Sequence, residues 1–563
     1  MAEQLVECVP NISEGRDEGK IRQVTEVIEA VEGVKLLDVD PGKATNRTVI
    51  TMVGAPGPVI EAAFRLIKRA SEVIDMRQHH GEHPRFGATD VCPLVPIANI
   101  SMEETVEYAH KLGARVGEEL GIPVYFYENA CKEEKRRNLA ACRSGQYEGL
   151  KDKLSDANWQ PDCGPAEFNE KVAVTGATAI GARDFLVAYN INLNTTSTRR
   201  ANSIAFDIRE AGRVKRRGNP ITGEIVKDEQ GNPVRIPGKL KCVKGLGWYI
   251  EEYGIAQISY NLTNISVTPV HIAFDETCKS AESKGIRVTG SELVGLIPKK
   301  ALLDAADHFL TKQRRSLGID EEEKIKIAVK SLGLDDLGPF NPGEKVIEYL
   351  IEEDKERLID KNLSDFVNET ASESPAPGGG SVAAYCGALG AALGAMVANL
   401  SSHKRGWDDK WDYYSAWAVK GQEYKEQLLR LVDEDTAAFN SIMEAFKLPK
   451  GSGEEKKIRA EAIQKATKNA INVPLRVMEL SHDSMQVMKA MAEEGLEASV
   501  SDAGVGALCA RAAVMGAYLN VMINLPAVED QAYKKDMQHR AAALRDAAVA
   551  MEQEIISLVE KRI

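Results

Sequence analysis

Beyond about residue 300 the chain stops offering strands, and this switch constrains the fold more than anything else in it. Before that point, short β-rich runs alternate with amphipathic stretches. Leu5 to Val9, Lys35 to Val39, Arg47 to Val53, Val91 to Ile97 and Val124 to Tyr127 predict strands, and residues near 16–31, 57–75 and 101–120 predict the helices between them. Residues 299–312 and 321–332 read as helices. A charged stretch, Glu352 to Lys361, then leads into an Ala-rich, Met-rich segment of helical period, with helices expected near 380–400, 411–446, 454–481, 483–494, 501–523 and 529–562. The expected fold is an α+β N-terminal region followed by an all-α helical bundle.

A chain of 563 residues is too long for one core. The N-terminal region divides further by a pseudo-repeat. Phe185 to Asn190 runs into an asparagine as Leu5 to Asn11 does, and Pro269-Val270 leading to Ala273-Phe274 echoes Pro58-Val59 leading to Ala63-Phe64. Two related α/β sandwich subdomains, 1–180 and 181–335, are therefore expected, with a ligand cleft between them, then a linker at 336–360 and the helical domain at 361–563. Turn-forming residues across 219–236 predict an exposed hairpin that looks inserted.

The net charge of −13 excludes a general nucleic-acid binder, since phosphate neutralisation needs a basic surface. Basic clusters at Lys132 to Arg137 and Arg213 to Arg217 suit either a polyanionic ligand or a solvated face. Nine cysteines without a C-x-x-C pair read as reduced thiols in a cytoplasmic protein, and the first residues lack the pattern of a signal peptide. Val382 to Leu400 has the length of a membrane span. Its Ala and Gly side chains supply little transfer energy, so a buried bundle helix is expected and no membrane span.

Three of the nine histidines fall within five residues, at His79, His80 and His83. Gly81-Glu82-His83-Pro84-Arg85 places an imidazole, a carboxylate and a guanidinium in one loop, which Pro84 keeps out of helical geometry. Imidazole moves protons near neutral pH. Asp38 and Asp40, on one face of a strand end by alternation, can orient such an imidazole. A metal held by His79, His80, His83 and Glu82 is the rival arrangement. It lacks H-E-x-x-H spacing, and no metal is expected.

In the helical part, Pro375 to Ser381 precedes the Ala-rich helix. Gly379 and Gly380 allow backbone N–H groups to converge on an anion, with Ser381 as a cap, or they form a tight turn for close helix packing. Asp433, Glu434 and Asp435 lie in an amphipathic helix. Asp435 sits three residues before Ala438 and four before Phe439, on a face expected to be buried, where a carboxyl group can act as a general acid; a solvated acidic turn is the alternative. Asn520 and Asn524 are one helical turn apart in apolar surroundings and need partners, protein groups or a ligand.

These residues resemble the formimidoyltransferase-cyclodeaminase family over essentially the whole chain. The markers are Leu5 to Asn11, Leu37 to Asp40, Thr45 to Val49, Gly81 to Arg85, Asp90 to Pro93, Pro377 to Val382 and Asn520 to Leu525. The resemblance implies transfer of a formimidoyl group from N-formimidoyl-L-glutamate to tetrahydrofolate in polyglutamylated form, then cyclodeamination to 5,10-methenyltetrahydrofolate and ammonia. It implies His83 as the acid/base of transfer with Asp40 as its partner, and Asp435 as the acid for departing ammonia, with Asp433 the nearest alternative. Glu82 and Arg85 are added as supporting groups, Arg85 to pair with a glutamate carboxylate. The family's folate segment maps onto Cys163, Gly164, Pro165, Ala166, Glu167 and Phe168, where the match loosens. Asn190, Gly379, Gly380, Ser381, Asn520 and Asn524 complete the expected folate contacts. A homo-oligomer is also implied. The rival enzyme is a 5-formyltetrahydrofolate:glutamate formyltransferase fused to a methenyltetrahydrofolate cyclohydrolase; a noncatalytic folate-binding scaffold is the reading outside enzymes.

Overall fold

The computed structural model describes residues 4–43, 46–81, 84–218, 223–351, 357–374 and 376–563. Two compact units result, one of Met1–Ala305 with Val329–Glu353, the other of Ala306–Ala328 with Asp354–Ile563. Glu82 and His83 lie outside the described residues, as do 219–222 of the expected hairpin and Pro375.

The first unit opens with β1 (Leu5–Cys8), α1 (Glu18–Glu29), β2 (Val34–Gly42), β3 (Arg47–Gly54), α2 (Pro56–Val73), β4 (Thr89–Ala98), α3 (Met102–Leu120), β5 (Val124–Glu128) and β6 (Thr178–Ala182). Strands β2, β3, β1 and β4 pair antiparallel in that spatial order, and β6 and β5 extend the sheet in parallel beyond β4. Strand alternation sends Val6, Cys8, Ile50 and Met52 into a core with Val24 and Ile28 of α1 and Val59 and Leu66 of α2.

The same order returns in β7 (Val187–Leu193), α4 (Thr198–Ile208), β8 (Val243–Ile250), β9 (Ile255–Leu262), α5 (Val270–Glu282) and β10 (Val288–Val294). Their sheet runs β8, β9, β7, β10, which is the order of β2, β3, β1, β4. Both are split βαβ sheets carrying two helices. The pseudo-repeat is thus a repeat of topology, with Pro269-Val270 and Pro58-Val59 opening equivalent helices. Tyr189, Ile191, Tyr260 and Leu262 are buried, and Tyr260 Oη meets Thr277 Oγ1 of α5 at 3.0 Å. The segment between α4 and β8 forms two small ribbons, Arg213–Val214 with Arg235–Ile236 and Arg216–Arg217 with Glu224–Ile225.

The second unit is a bundle of α6 (Gly379–Ser402), α7 (Trp411–Lys447), α8 (Gly453–Glu494), α9 (Val500–Asn524) and α10 (Gln531–Glu560). One correction concerns α8, for which two helices were expected, 454–481 and 483–494. The apolar face of Val477, Met478, Ser481, Met485 and Met488 is buried without interruption through the expected break, and Pro474 lies inside the same helix. Helices α6 and α9 are long and apolar enough to cross a membrane by length and composition. The small residues of α6 are used within the bundle: Gly387 meets Ser481, Ala513 and Leu428, and Gly390 meets the backbone of Gly506.

Gly87 carries the loop after Arg85 back into the first sheet, and a Cβ there would overlap the Ala177 carbonyl. Gly87→Ala is expected to destabilise this unit by about 2 kcal/mol, read as a lower urea midpoint of its unfolding.

Candidate functional site

A cavity of about 480 Å³ lies on the faces of the two sheets turned away from their helices. β1 supplies Glu7, the short strand Asn11–Ile12 that follows it supplies Asn11, β2 supplies Asp38 and Asp40, and β3 supplies Arg47. Arg143, Arg183 and Tyr127 join them, with Ala188, Asn261 and Val294 from the second sheet. Asp38 and Asp40 do share a face, although the pairing of β2 with β3 shifts register between Leu36 and Asp38. Burial pushes the Asp38 carboxyl above its ordinary range, against the pull of Lys345 and with a smaller push from Asp40.

Asp90 is fully buried and organises one wall. Its Oδ2 accepts from Arg143 Nη1 at 2.8 Å and lies 3.7 Å from Arg47 Nη1, while its Oδ1 accepts from the Phe86 amide at 3.1 Å. Arg47 Nε also donates to Asn11 Oδ1 at 2.8 Å. Burial brings Arg47 down to about 10, the neighbouring Arg143 adding to the fall and Asp90 opposing it. The residues bracketing the undescribed pair are tied to the same groups: Asn46 Nδ2 donates to the His80 carbonyl at 2.9 Å, and Arg143 Nη1 donates to the Pro84 carbonyl at 3.2 Å.

Arg85 needs correction as a carboxylate receptor. Its guanidinium is buried and already bidentate with Glu148, at 2.7 and 2.9 Å, and holds that carboxyl below its ordinary range. Its Nε lies 3.3 Å from His79 Nδ1, and His79 Nε2 meets the Asn46 carbonyl at 2.9 Å. Both ring nitrogens of His79 are therefore engaged by protein, which leaves neither for the rival metal arrangement.

The structure does not gather Cys163 to Phe168 at this cavity. Gly164, at φ +84°, packs on Gly117 of α3 and the Ile122 carbonyl, and the Cys163 carbonyl accepts from Val124 at 2.9 Å. Asp162, gripped by Arg136 at 2.7 Å and by the Phe126 amide, anchors the segment to β5. Phe168 rests against Tyr147. Asn190 is buried and donates to Glu292 Oε2 at 3.0 Å; it is not among the residues lining the cavity, where its strand neighbour Ala188 stands.

In the bundle the two expected constellations become one. Ser381 is not a cap: it lies inside α6, whose N-cap is Gly378, and its Oγ is 2.9 Å from the Val432 carbonyl and 3.1 Å from Asp435 Oδ2. A Cβ on Gly380 would overlap the Asp435 carboxylate, so glycine there lets α7 bring its own acid to the end of α6. Burial raises the Asp435 carboxyl above its ordinary range, in spite of hydrogen bonds from the Ser381 side chain and backbone that favour the anion. Asn520 lies beside Gly379, its Nδ2 donating to the Gly516 carbonyl at 2.9 Å, and Asn524 Nδ2 donates to the Asn520 carbonyl at 3.0 Å. Asp433 turns elsewhere, its Oδ1 accepting from the Leu358 amide at 2.7 Å. Of the expected buried face, Ala438 is buried but Phe439 is 37% exposed, because the contact stripe on α7 follows Val432, Asp435 and Ala438.

Sequence reasoning passed over Glu7, Asn11, Asp90, Arg143 and Arg183 and gave Arg47 no role. The signal for Glu7 was present in Leu5-Val6-Glu7-Cys8-Val9, where alternation around a buried Val6 and Cys8 sends Glu7 to the opposite face. Arg143 and Arg183 come from irregular segments and carried no periodic signal.

A polar cleft thus lies on the paired split βαβ sheets of the first unit, and a carboxyl stands at a glycine-rich helix end in the second. Family profiles match three stretches: the formiminotransferase domain, N-terminal subdomain, at 5–183, the formiminotransferase domain at 188–352, and formiminotransferase-cyclodeaminase at 362–543. The chain is 45% identical over 561 residues to the formimidoyltransferase-cyclodeaminase of Gallus gallus, covering 99% of each. Its first part is 44% identical to the glutamate formimidoyltransferase of Thermoplasma acidophilum, over 54% of this chain and 92% of that one. A stretch of 203 residues is 33% identical to the methenyltetrahydrofolate cyclohydrolase of Methylorubrum extorquens, over 36% of this chain and 98% of the relative. The chain belongs to the formimidoyltransferase-cyclodeaminase family.

Asp90 is the buried carboxylate that half-buried Arg47 and Arg143 share. Asp90→Asn is expected to cost about 3 kcal/mol, because it leaves Arg47 and Arg143 without their shared counter-charge. Chemical denaturation of the full chain measures it.

Proposed function

We propose that the two units perform two successive steps on one folate. The first transfers the formimidoyl group from N-formimidoyl-L-glutamate to N5 of tetrahydrofolate and releases glutamate. The second closes the ring to 5,10-methenyltetrahydrofolate and expels ammonia. The observation that carries this is the full-length likeness to a protein named for both activities, joined to a polar cleft and a carboxyl of raised pKa on two unrelated folds.

In the transferase, His83 moves protons as N5 attacks the amidine carbon and the tetrahedral adduct collapses, with Asp40 as its partner. The ties of His80 and Pro84 to Asn46 and to Arg143, which lines the cavity, support that placement. Arg183 lines the cavity with no carboxylate within ion-pair distance among the described residues, which suits it, rather than Arg85, to a glutamate carboxylate. In the bundle, Asp435 protonates the departing amine as N10 closes the ring. Its raised pKa supports an acid role, and the turn of Asp433 toward Leu358 supports Asp435 over its neighbour.

The folate is taken in polyglutamylated form. Tethering the two sites raises the effective concentration of the intermediate at the second. The chain works in the cytoplasm as a homo-oligomer; Val382, Leu389, Met396 and Leu400 on α6 and Leu519 and Ile523 on α9 are exposed apolar side chains that assembly would cover. The likeness to a cyclohydrolase keeps one second reading: formyl transfer followed by loss of water in place of ammonia.

His83→Ala is expected to lower glutamate release from formimidoylglutamate by about 100-fold or more while supplied 5-formimidoyltetrahydrofolate still cyclises. Asp435→Ala should do the reverse, and ammonia release by the unmodified chain separates deaminase from hydrolase. Loss of both activities by either folded variant would break the two-site assignment. Ser381→Ala removes the hydroxyl donor that favours the Asp435 anion while the backbone N–H of residue 381 stays, so the acid keeps its proton to higher pH. The alkaline fall in the cyclisation rate should move upward in a pH–rate profile.

A further inference from the structure

Among the described residues, Glu7 is the one acid lining the transferase cavity that is both buried and uncommitted. Residue 7 is 5% exposed, and its side chain stands on the cavity face of β1, since Val6 and Cys8 on either side belong to the helix-covered core. No backbone or side-chain group among the described residues donates a hydrogen bond to its carboxyl. The other acids in or behind the wall differ. Asp90 is held by two arginines and the Phe86 amide. Asp38 has the charge of Lys345 and a hydrogen bond from the Val39 backbone. Asp40 is exposed at the strand edge. A buried carboxyl group without a partner costs stability unless it is protonated or serves a ligand.

The charged groups around Glu7 are Arg183, which favours its anion, and Glu348, which opposes it, with Asp38, Asp40, Arg47, Arg143 and the Tyr127 phenol lining the same cavity and Cys8 and Cys92 behind β1. Burial outweighs Arg183 and lifts the Glu7 carboxyl to about 7. At neutral pH it is thus present in both forms.

We propose that Glu7 is a second catalytic residue of formimidoyl transfer, the acid that protonates the departing glutamate nitrogen. This rests on the transferase reading given above. Attack of N5 on the amidine carbon forms the new C–N bond, and the proton leaving N5 goes to the base of the reaction. As the adduct collapses, the bond from carbon to the glutamate nitrogen breaks and Glu7 delivers its proton to that nitrogen, so a neutral amine leaves instead of an amide anion. The base then returns its proton to the Glu7 carboxylate through solvent. No proton is gained or lost over the cycle.

The test uses the full chain and Glu7→Gln, following glutamate release from formimidoylglutamate between about pH 5.5 and 9 and, in the same preparation, cyclisation of supplied 5-formimidoyltetrahydrofolate. An acid of this kind must be protonated, so transfer by the unmodified protein should decline as pH rises through neutrality. Glu7→Gln should lose about 100-fold in kcat/KM for transfer together with that alkaline limb, and keep cyclisation. Its melting temperature at pH 8 should equal or exceed that of the parent, because the glutamine removes a buried anion. Glu7→Asp should retain the limb at a reduced rate. A Glu7→Gln protein whose transfer stays within about threefold of the parent, or which keeps the limb, overturns the proposal; so does a Glu7→Asp protein that has lost the limb. Absence of transfer by the unmodified chain would instead refute the transferase reading.

Discussion

Burial of one face of each sheet beneath a pair of helices is the constraint on which the first unit depends. A strand has a period of two, so a chain that gives Val6, Cys8, Ile50 and Met52 to the helices must turn Glu7, Asp38, Arg47 and Thr51 the other way. The second sheet obeys the same rule with Tyr189 and Ile191 inward and Ala188 and Asn190 outward. The cleft is polar because it receives the residues that the helices cannot take. Polar groups in a half-closed space then need partners, and Asp90 meets that need for Arg47, Arg143 and the Phe86 amide together.

The helical unit reaches a comparable result through backbone approach. Gly380 leaves room for a carboxylate against the first turn of α6, and Gly387 and Gly390 leave room for α8 and α9. The first turn of a helix attracts acceptor groups, and here a side chain of the neighbouring α7 supplies the carboxyl. Burial and hydrogen bonding act on Asp435 in opposite senses, and burial is the larger. The glycine string and the acidic turn are two halves of one arrangement more than fifty residues apart in the chain.

Local pattern carried much of this. The change from strand to helix period, the recurrence of Pro-Val at the start of two equivalent helices and the shared face of Asp38 and Asp40 all follow from residue spacing. Other features depended on neighbours that no local pattern names. Arg85 carries a charge and a donor fork suited to a substrate carboxylate, yet Glu148, more than sixty residues away, occupies it. Ser381 has the chemistry of a cap but lies three residues too far along, where Asp435 and Val432 are its partners. The expected break near residue 482 failed because the buried face of α8 continues through it.

The amino-acid sequence alone determined the fold class, the family and the two short motifs around which chemistry was expected, because periodicity and turn residues act over a few positions. Only the tertiary structure decided which charges are spent and which are available. It gave Arg85 to Glu148 and Asp433 to Leu358, left Arg183 and Glu7 facing the cavity, and set Asp435 against Gly380. The physical reason is that a side chain's burial and hydrogen-bond partners come from segments distant in the chain, and those partners set whether a carboxyl is a structural anion or an acid with a proton to give.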